Sequence, residues 1–344
     1  MLSSLINVRM LSRGTLLIAP IFVAGLVTGN PLWFRVSIVT VSVFIAMERS
    51  SLAPLGVLLH VLAVSLGFFG LTLSLGRPEW FVVACVLLAT ACVAVTAAGS
   101  EMRWTSTFTF IPVLYVACAT AGAADGRRLA QLSLETWPYL LCSTLPVLLT
   151  SIVSYRSKPC GANLKSRGWL ALRIVTEAPA PGCLEGMISA ALAVGVAALL
   201  AESHHVTYPQ WLIWSALSVV TGDIVTARAK WKDRMVGAIV GVPAGMLAGI
   251  LMPHAPLLFD VLTAAIALTL VAFNRYVVAF GMRCALHAVA IIVAGHPAFS
   301  ADFRAINVVF GSVIGIVFVL GTHLIGQSVK ARWPAAAVKS RRIE

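Results

Sequence analysis

The sequence predicts an all-α polytopic membrane protein of about twelve transmembrane helices, arranged as two parallel six-helix repeats. Three observations lead there. Of 344 residues, 59% are hydrophobic and only 11% charged, less than half the roughly 25% charge of a soluble domain. The apolar residues fall into twelve runs of bilayer-spanning size, about 20 residues each. Several landmarks of the first half recur in the second at offsets of 172 to 178 residues. So much apolar surface cannot be hidden in one soluble core. A soluble enzyme, a disordered chain and a disulfide-stapled secreted module are all excluded.

The runs are 13–29, 32–48, 55–75, 79–98, 105–123 and 136–154, then 184–201, 209–227, 233–252, 256–273, 275–294 and 304–326. The first follows Arg9 and Arg13 and resembles a signal peptide, but eleven further runs make it an uncleaved first helix. Gly29-Asn30-Pro31 forces a tight connection to the second run, and Pro253-His254-Ala255-Pro256 does the same between the ninth and tenth. Arg103-Trp104 opens the fifth run and Arg275-Tyr276 the eleventh. Pro31-Leu32-Trp33 opens the second, matched by Pro209-Gln210-Trp211 at the eighth. Asp125-Gly126-Arg127-Arg128 precedes the sixth, matched by Asp302-Phe303-Arg304 before the twelfth. Six runs per half give both halves the same orientation, related by an axis along the membrane normal.

The charges support the count. With twelve spans, nineteen of the 25 Lys and Arg residues fall on the side of the termini and four on the other, with Arg35 and Arg283 inside spans. By the positive-inside rule both termini are cytoplasmic. The net charge of +12 is then a basic rim against anionic headgroups, and nucleic acid is not a partner. Residues 1–155 form the first repeat, and 156–183 a basic cytoplasmic linker with a short interfacial helix over 164–177. Residues 184–326 form the second repeat and 327–344 a basic tail.

The seven cysteines show no C-x-x-C pair and act as small apolar residues. No metal or cofactor cluster appears. No phosphate-binding loop or nucleophile elbow is present, so the chain is not read as an enzyme.

Two features carry functional information. Gly237, Gly241, Gly245 and Gly249 lie four apart, a face for close helix packing. Tyr276, Phe280, Arg283 and His287 share one face of the eleventh run, and Trp104 and Phe108 take the equivalent aromatic places in the fifth. An intramembrane Arg is unfavourable by at least about 2.5 kcal/mol and needs an anionic ligand, water or an acidic partner such as Asp223 or Asp260. A guanidinium beside aromatic rings suits an aromatic carboxylate. Asp223, desolvated in the eighth run, is the candidate proton carrier, with His287 as a second. Trp211 and Trp214 read as an interfacial aromatic belt.

Residues from about 186 to 326 resemble the fusaric acid resistance protein-like family of the aromatic acid exporter superfamily. The carrying residues are Trp211, then Arg234-Met235-Val236-Gly237 with Gly241, Tyr276, and Arg304 followed by Gly311 and Gly315. The resemblance implies efflux of aromatic and other organic acids across a bacterial inner membrane, and a periplasmic adaptor as partner. Taken with the residues, it leads to a proton-driven exporter of small organic anions, with Arg283 holding the carboxylate. A passive anion channel and a non-transporting scaffold are the alternatives.

Overall fold

A computed structural model describes residues 5–124, 127–156, 182–297 and 300–332. It is helical almost throughout. The helices are α1 (Val8–Thr28), α2 (Leu32–Arg49), α3 (Pro54–Ser74), α4 (Pro78–Ala94), α5 (Met102–Gly122), α6 (Leu129–Arg156), α7 (Cys183–Ser203), α8 (Pro209–Val219), α9 (Ile224–Ile250), α10 (Pro256–Ala272), α11 (Tyr276–Val293) and α12 (Ser300–Arg332). A short 3-10 turn, Val95–Ala98, extends α4. The interfacial helix expected over 164–177 and most of the C-terminal tail lie outside the described residues.

Local chemistry sets the boundaries. Proline opens α3, α4, α8 and α10, where its missing N–H has no intrahelical partner to lose. Asn7 caps α1 by accepting from the Met10 N–H, and Asp223 caps α9 by accepting from the Thr226 N–H. Gly29 ends α1 in the left-handed region at φ 63°.

Nine helical segments among the described residues are long and apolar enough to cross a bilayer, and the shorter Leu257–Ala272 is also apolar. The chain is therefore a multi-pass membrane protein. The two helices outside that set, α2 and α8, are the innermost. Residues Val36–Met47 of α2 and Gln210–Val219 of α8 are buried without interruption. Protein rather than lipid surrounds them, so α2 tolerates Arg35, Ser37, Thr40 and Ser42, and α8 can be short.

Each half has its own set of packed helix pairs. In the first, α1 packs on α2, α3 on α5 and α6, α2 on α6, and α4 on α5. In the second, α7 packs on α8, α9 on α11 and α12, α8 on α12, and α10 on α11. The halves meet through α4 on α7 and α10 on α1. Backbone bonds from Asn7 N–H to the Ala272 carbonyl and from Asn274 N–H to the Leu5 carbonyl reinforce the second junction.

The glycine row of α9 faces α11. A Cβ at Gly241 would run into the Gly281 carbonyl and one at Gly245 into the Ala285 carbonyl; at Gly237 it would lie 2.9 Å from the Phe280 ring, and at Gly249 2.9 Å from Ile292. Gly311 and Gly315 of α12 do the same against the Leu212 and Ala216 carbonyls of α8. The first half lacks such a row. There α3 and α5 are joined by His60, whose Nε2 lies 3.3 Å from the Phe108 carbonyl.

The eighth and ninth runs require correction. The helix expected over 209–227 stops at Val219, and α9 starts at Ile224 rather than 233. Gly222 between them has φ 72°, a conformation that favours glycine and ends the helix. Arg228, Lys230, Lys232 and Arg234 therefore belong to α9 and not to a loop. Arg304, expected on the opposite rim, lies in the second turn of α12 and is 1% exposed.

Candidate anion site

Three arginines are buried in the second half: Arg234 (2% exposed), Arg283 (6%) and Arg304 (1%). The ion pairs among the described residues are Arg13–Glu48, Arg127–Glu135 and His323–Glu185. None of these includes a buried arginine, so the pairing of Arg283 with Asp223 or Asp260 that the sequence left open is not formed. The three guanidiniums differ in how they are satisfied.

Arg234 is tied on every side. Its Nε donates to Ser312 Oγ at 3.1 Å, Nη1 to the Tyr276 hydroxyl at 3.1 Å and Nη2 to Ser215 Oγ at 2.6 Å. Its guanidinium lies 4.3 Å from the Phe280 ring centroid, within cation–π range. It thus joins α8, α9, α11 and α12 at one point. Sequence reasoning placed it in a loop because the basic residues around it read as a rim. One signal pointed inward: Arg234 precedes Gly237 by three residues and Gly241 by seven, which puts it on the glycine face.

Arg283 carries one hydrogen bond among the described residues, from Nε to Thr269 Oγ1 of α10 at 2.9 Å. Its remaining donors are left for something else. Tyr276, Arg234 and Arg304 are its electrostatic neighbours.

Arg304 stacks on Trp211 at 3.7 Å, and its Nε and Nη1 are buried with no hydrogen-bond partner. It too sits on a glycine face, seven residues before Gly311 and eleven before Gly315. Trp211 is the hub here. His287 meets it edge-on at 4.7 Å, Trp214 at 5.5 Å and Tyr115 of the first half at 6.1 Å. Trp211 and Trp214 are 5% and 6% exposed; they line the interior and are not an interfacial belt.

The remaining predicted residues form two groups. Tyr276 and Phe280 stack at 6.0 Å beneath Arg234, with the Lys230 ammonium 5.6 Å from the Tyr276 ring. Trp104 and Phe108 stack at 6.1 Å in the first half, under Arg49 at 5.3 Å from Trp104. Both halves carry an aromatic pair topped by a cation. No ring contact among the described residues joins the pairs, and Trp104 is 43% exposed, so they do not line one continuous stripe.

Asp223 is exposed and caps α9. Its carboxylate accepts from the Thr226 hydroxyl at 2.6 Å and the Thr226 N–H at 2.8 Å. These bonds hold it below the ordinary carboxylate range. The desolvated, raised carboxyl needed for a proton carrier is not what the fold provides at this position.

A cleft opens beside the break between α8 and α9, with about 690 Å³ of free space including its mouth. Phe110 and Ser106 of α5 face Trp214, Ser218 and Thr221 across it, and Arg103 and Lys230 supply its charged groups. It lies between the halves, and its described lining residues include no carboxylate.

The described helices and their apolar exterior make the chain an all-helical, multi-pass membrane protein. Residues 196–318 match the family model described as fusaric acid resistance protein-like. The matched segment contains Trp211, Arg234, the glycine row, Arg283 and Arg304. No curated protein and no solved structure matches the chain.

Proposed function

We propose that the protein exports small organic anions, aromatic carboxylates among them, across a bacterial inner membrane, and that its two halves are a parallel repeat with both termini cytoplasmic. The observation that carries this reading is Arg283: a buried guanidinium whose Nη groups form no hydrogen bond and no ion pair among the described residues. Desolvating a charge is unfavourable unless something compensates it. An anion passing through the bundle supplies that compensation, and Tyr276 and Phe280 offer faces for a flat ring. Arg103 and Lys230 in the basic cleft would gather the anion, and Arg234 holds the helices around its route. A periplasmic adaptor and the surrounding lipid are the expected partners.

The proton gradient is the proposed energy source, with His287 as the titratable group inside the bundle. One observation favours a passive anion channel instead: Asp223, the other coupling candidate, is exposed and hydrogen-bonded in its ionised form. Flux of an aromatic carboxylate panel from proteoliposomes, with and without a pH gradient, separates the two. Gradient-driven accumulation supports the exporter. Flux that only follows the anion's own gradient and the membrane voltage supports the channel. No flux of any compound overturns both.

A further inference from the structure

Arg304 poses a question that a single site at Arg283 does not answer. It is the most enclosed of the three buried arginines, at 1% exposure. Its Nε and Nη1 are unpartnered, and charged donors left without a partner in a dry interior are among the most unfavourable arrangements in a protein. Stacking on Trp211 at 3.7 Å offsets part of this, but a ring face accepts no N–H in the guanidinium plane. The polar groups around it are the Cys284 thiol, a weak acceptor, the Tyr115 phenol and the His287 imidazole. Arg283 and Arg234 add like charge. Trp211, Cys284 and Tyr115 compensate the charge in part, but no ion pair among the described residues neutralises it.

The surroundings are built and not incidental. Gly311 and Gly315 bring α12 against α8 so closely that a Cβ would strike the α8 backbone, and this approach sets Arg304 on Trp211. Tyr115 comes from α5, so the first half supplies one wall and the second the rest. Asn307, one turn on, fixes the start of α12 by donating to the Thr207 carbonyl at 2.7 Å.

We propose that Arg304, Trp211 and Tyr115 form a second anion position, in series with Arg283, that takes the carboxylate of an organic anion on the free guanidinium donors while its apolar body lies against the aromatic wall of Tyr115 and Trp214. This rests on the transport reading and adds to it a relay of two cationic stations. Two stations let an anion leave one guanidinium for another without being held too tightly at either.

Trp211 is its own reporter. The full-length protein in detergent is titrated with benzoate while tryptophan emission is followed, with Trp211→Phe identifying the Trp211 component. The wild type is expected to show a saturable change in that component, with a midpoint at least about tenfold weaker in Arg304→Gln, about 1.4 kcal/mol. Arg283→Gln is expected to retain the Trp211 signal while losing flux. If Arg304→Gln fails to fold, Arg304→Lys keeps the charge but loses the planar fork and is expected to weaken binding in the same direction. Benzoate flux in the wild type with a Trp211 signal unchanged by either Arg304 substitution overturns the second position and leaves the transporter standing. So does flux with no Trp211 response at all, which means that water alone fills the donors. Absence of both flux and binding across the carboxylate panel overturns the transport reading, and this inference with it.

Discussion

Gly245→Ala should loosen the second half, because one methyl group has no room between α9 and α11. An ideal Cβ at Gly245 collides with the Ala285 carbonyl and lies 2.6 Å from the Ala285 Cα and 2.7 Å from its carbonyl carbon. All three are backbone atoms, so no side chain can swing aside and the helices must part. Overpacking of this kind destabilises by about 1–3 kcal/mol, and backbone contacts place it near the upper end. Alanine returns up to about 1 kcal/mol of helix propensity over glycine. The net loss is about 2 kcal/mol, or a fall of roughly 3–6 °C in melting temperature. Gly70 of α3 is the control: nothing lies within 4 Å of its Cβ position, so Gly70→Ala should leave stability unchanged or raised. The protein carries its own probes in Cys85, Cys92, Cys118 and Cys284, all buried. A thiol-reactive dye in detergent then reports unfolding as these become accessible. Equal melting of Gly245→Ala and Gly70→Ala would refute the close α9–α11 approach.

Other expectations follow from the site. Arg234→Lys should lower stability by about 1–3 kcal/mol, since one ammonium cannot reach the three hydroxyls that the guanidinium joins on three helices; thermal melting checks it, and Arg283→Gln should not share the loss. Asp223→Ala should weaken the start of α9 by about 1 kcal/mol without abolishing flux. Because the folded Asp223 sits below its ordinary range, its contribution is present above the unfolded carboxyl value of about 3.9 and fades as pH falls through the lower folded value; melting curves from pH 7 down to 3 should show the two proteins converging. Lys230→Gln, removing one of two cations from the cleft, should raise the apparent KM for benzoate several-fold with little change at saturation, read in proteoliposome flux.

Much of the fold was legible in the sequence because lipid imposes a simple rule, that apolar runs of bilayer length become helices. The starts of α3, α8, α10 and α11 fall within one residue of the run boundaries. What failed was the region where lipid does not act. α8 lies within protein, so hydropathy could not show that it breaks at Val219, and the error passed to α9 and to every basic residue near its start. Arg234 looked like a rim residue in composition and Arg304 like a loop residue by position. Both lie at helical spacing from glycines that pack against another backbone, and that register was the available signal. Trp211 was misread for a similar reason: tryptophans near a helix end suit a membrane interface, and only tertiary structure shows this pair facing inward. Arg283 was legible because a lone arginine deep in an apolar run has few explanations.

The central claim is that Arg283 holds the travelling anion. Its most direct test is benzoate flux through Arg283→Gln in proteoliposomes, compared with wild type after dye melting has shown both to be folded. The account predicts at least about a tenfold loss of flux at subsaturating benzoate, about 1.4 kcal/mol of lost interaction. A folded Arg283→Gln that carries benzoate within twofold of the wild-type rate would contradict it.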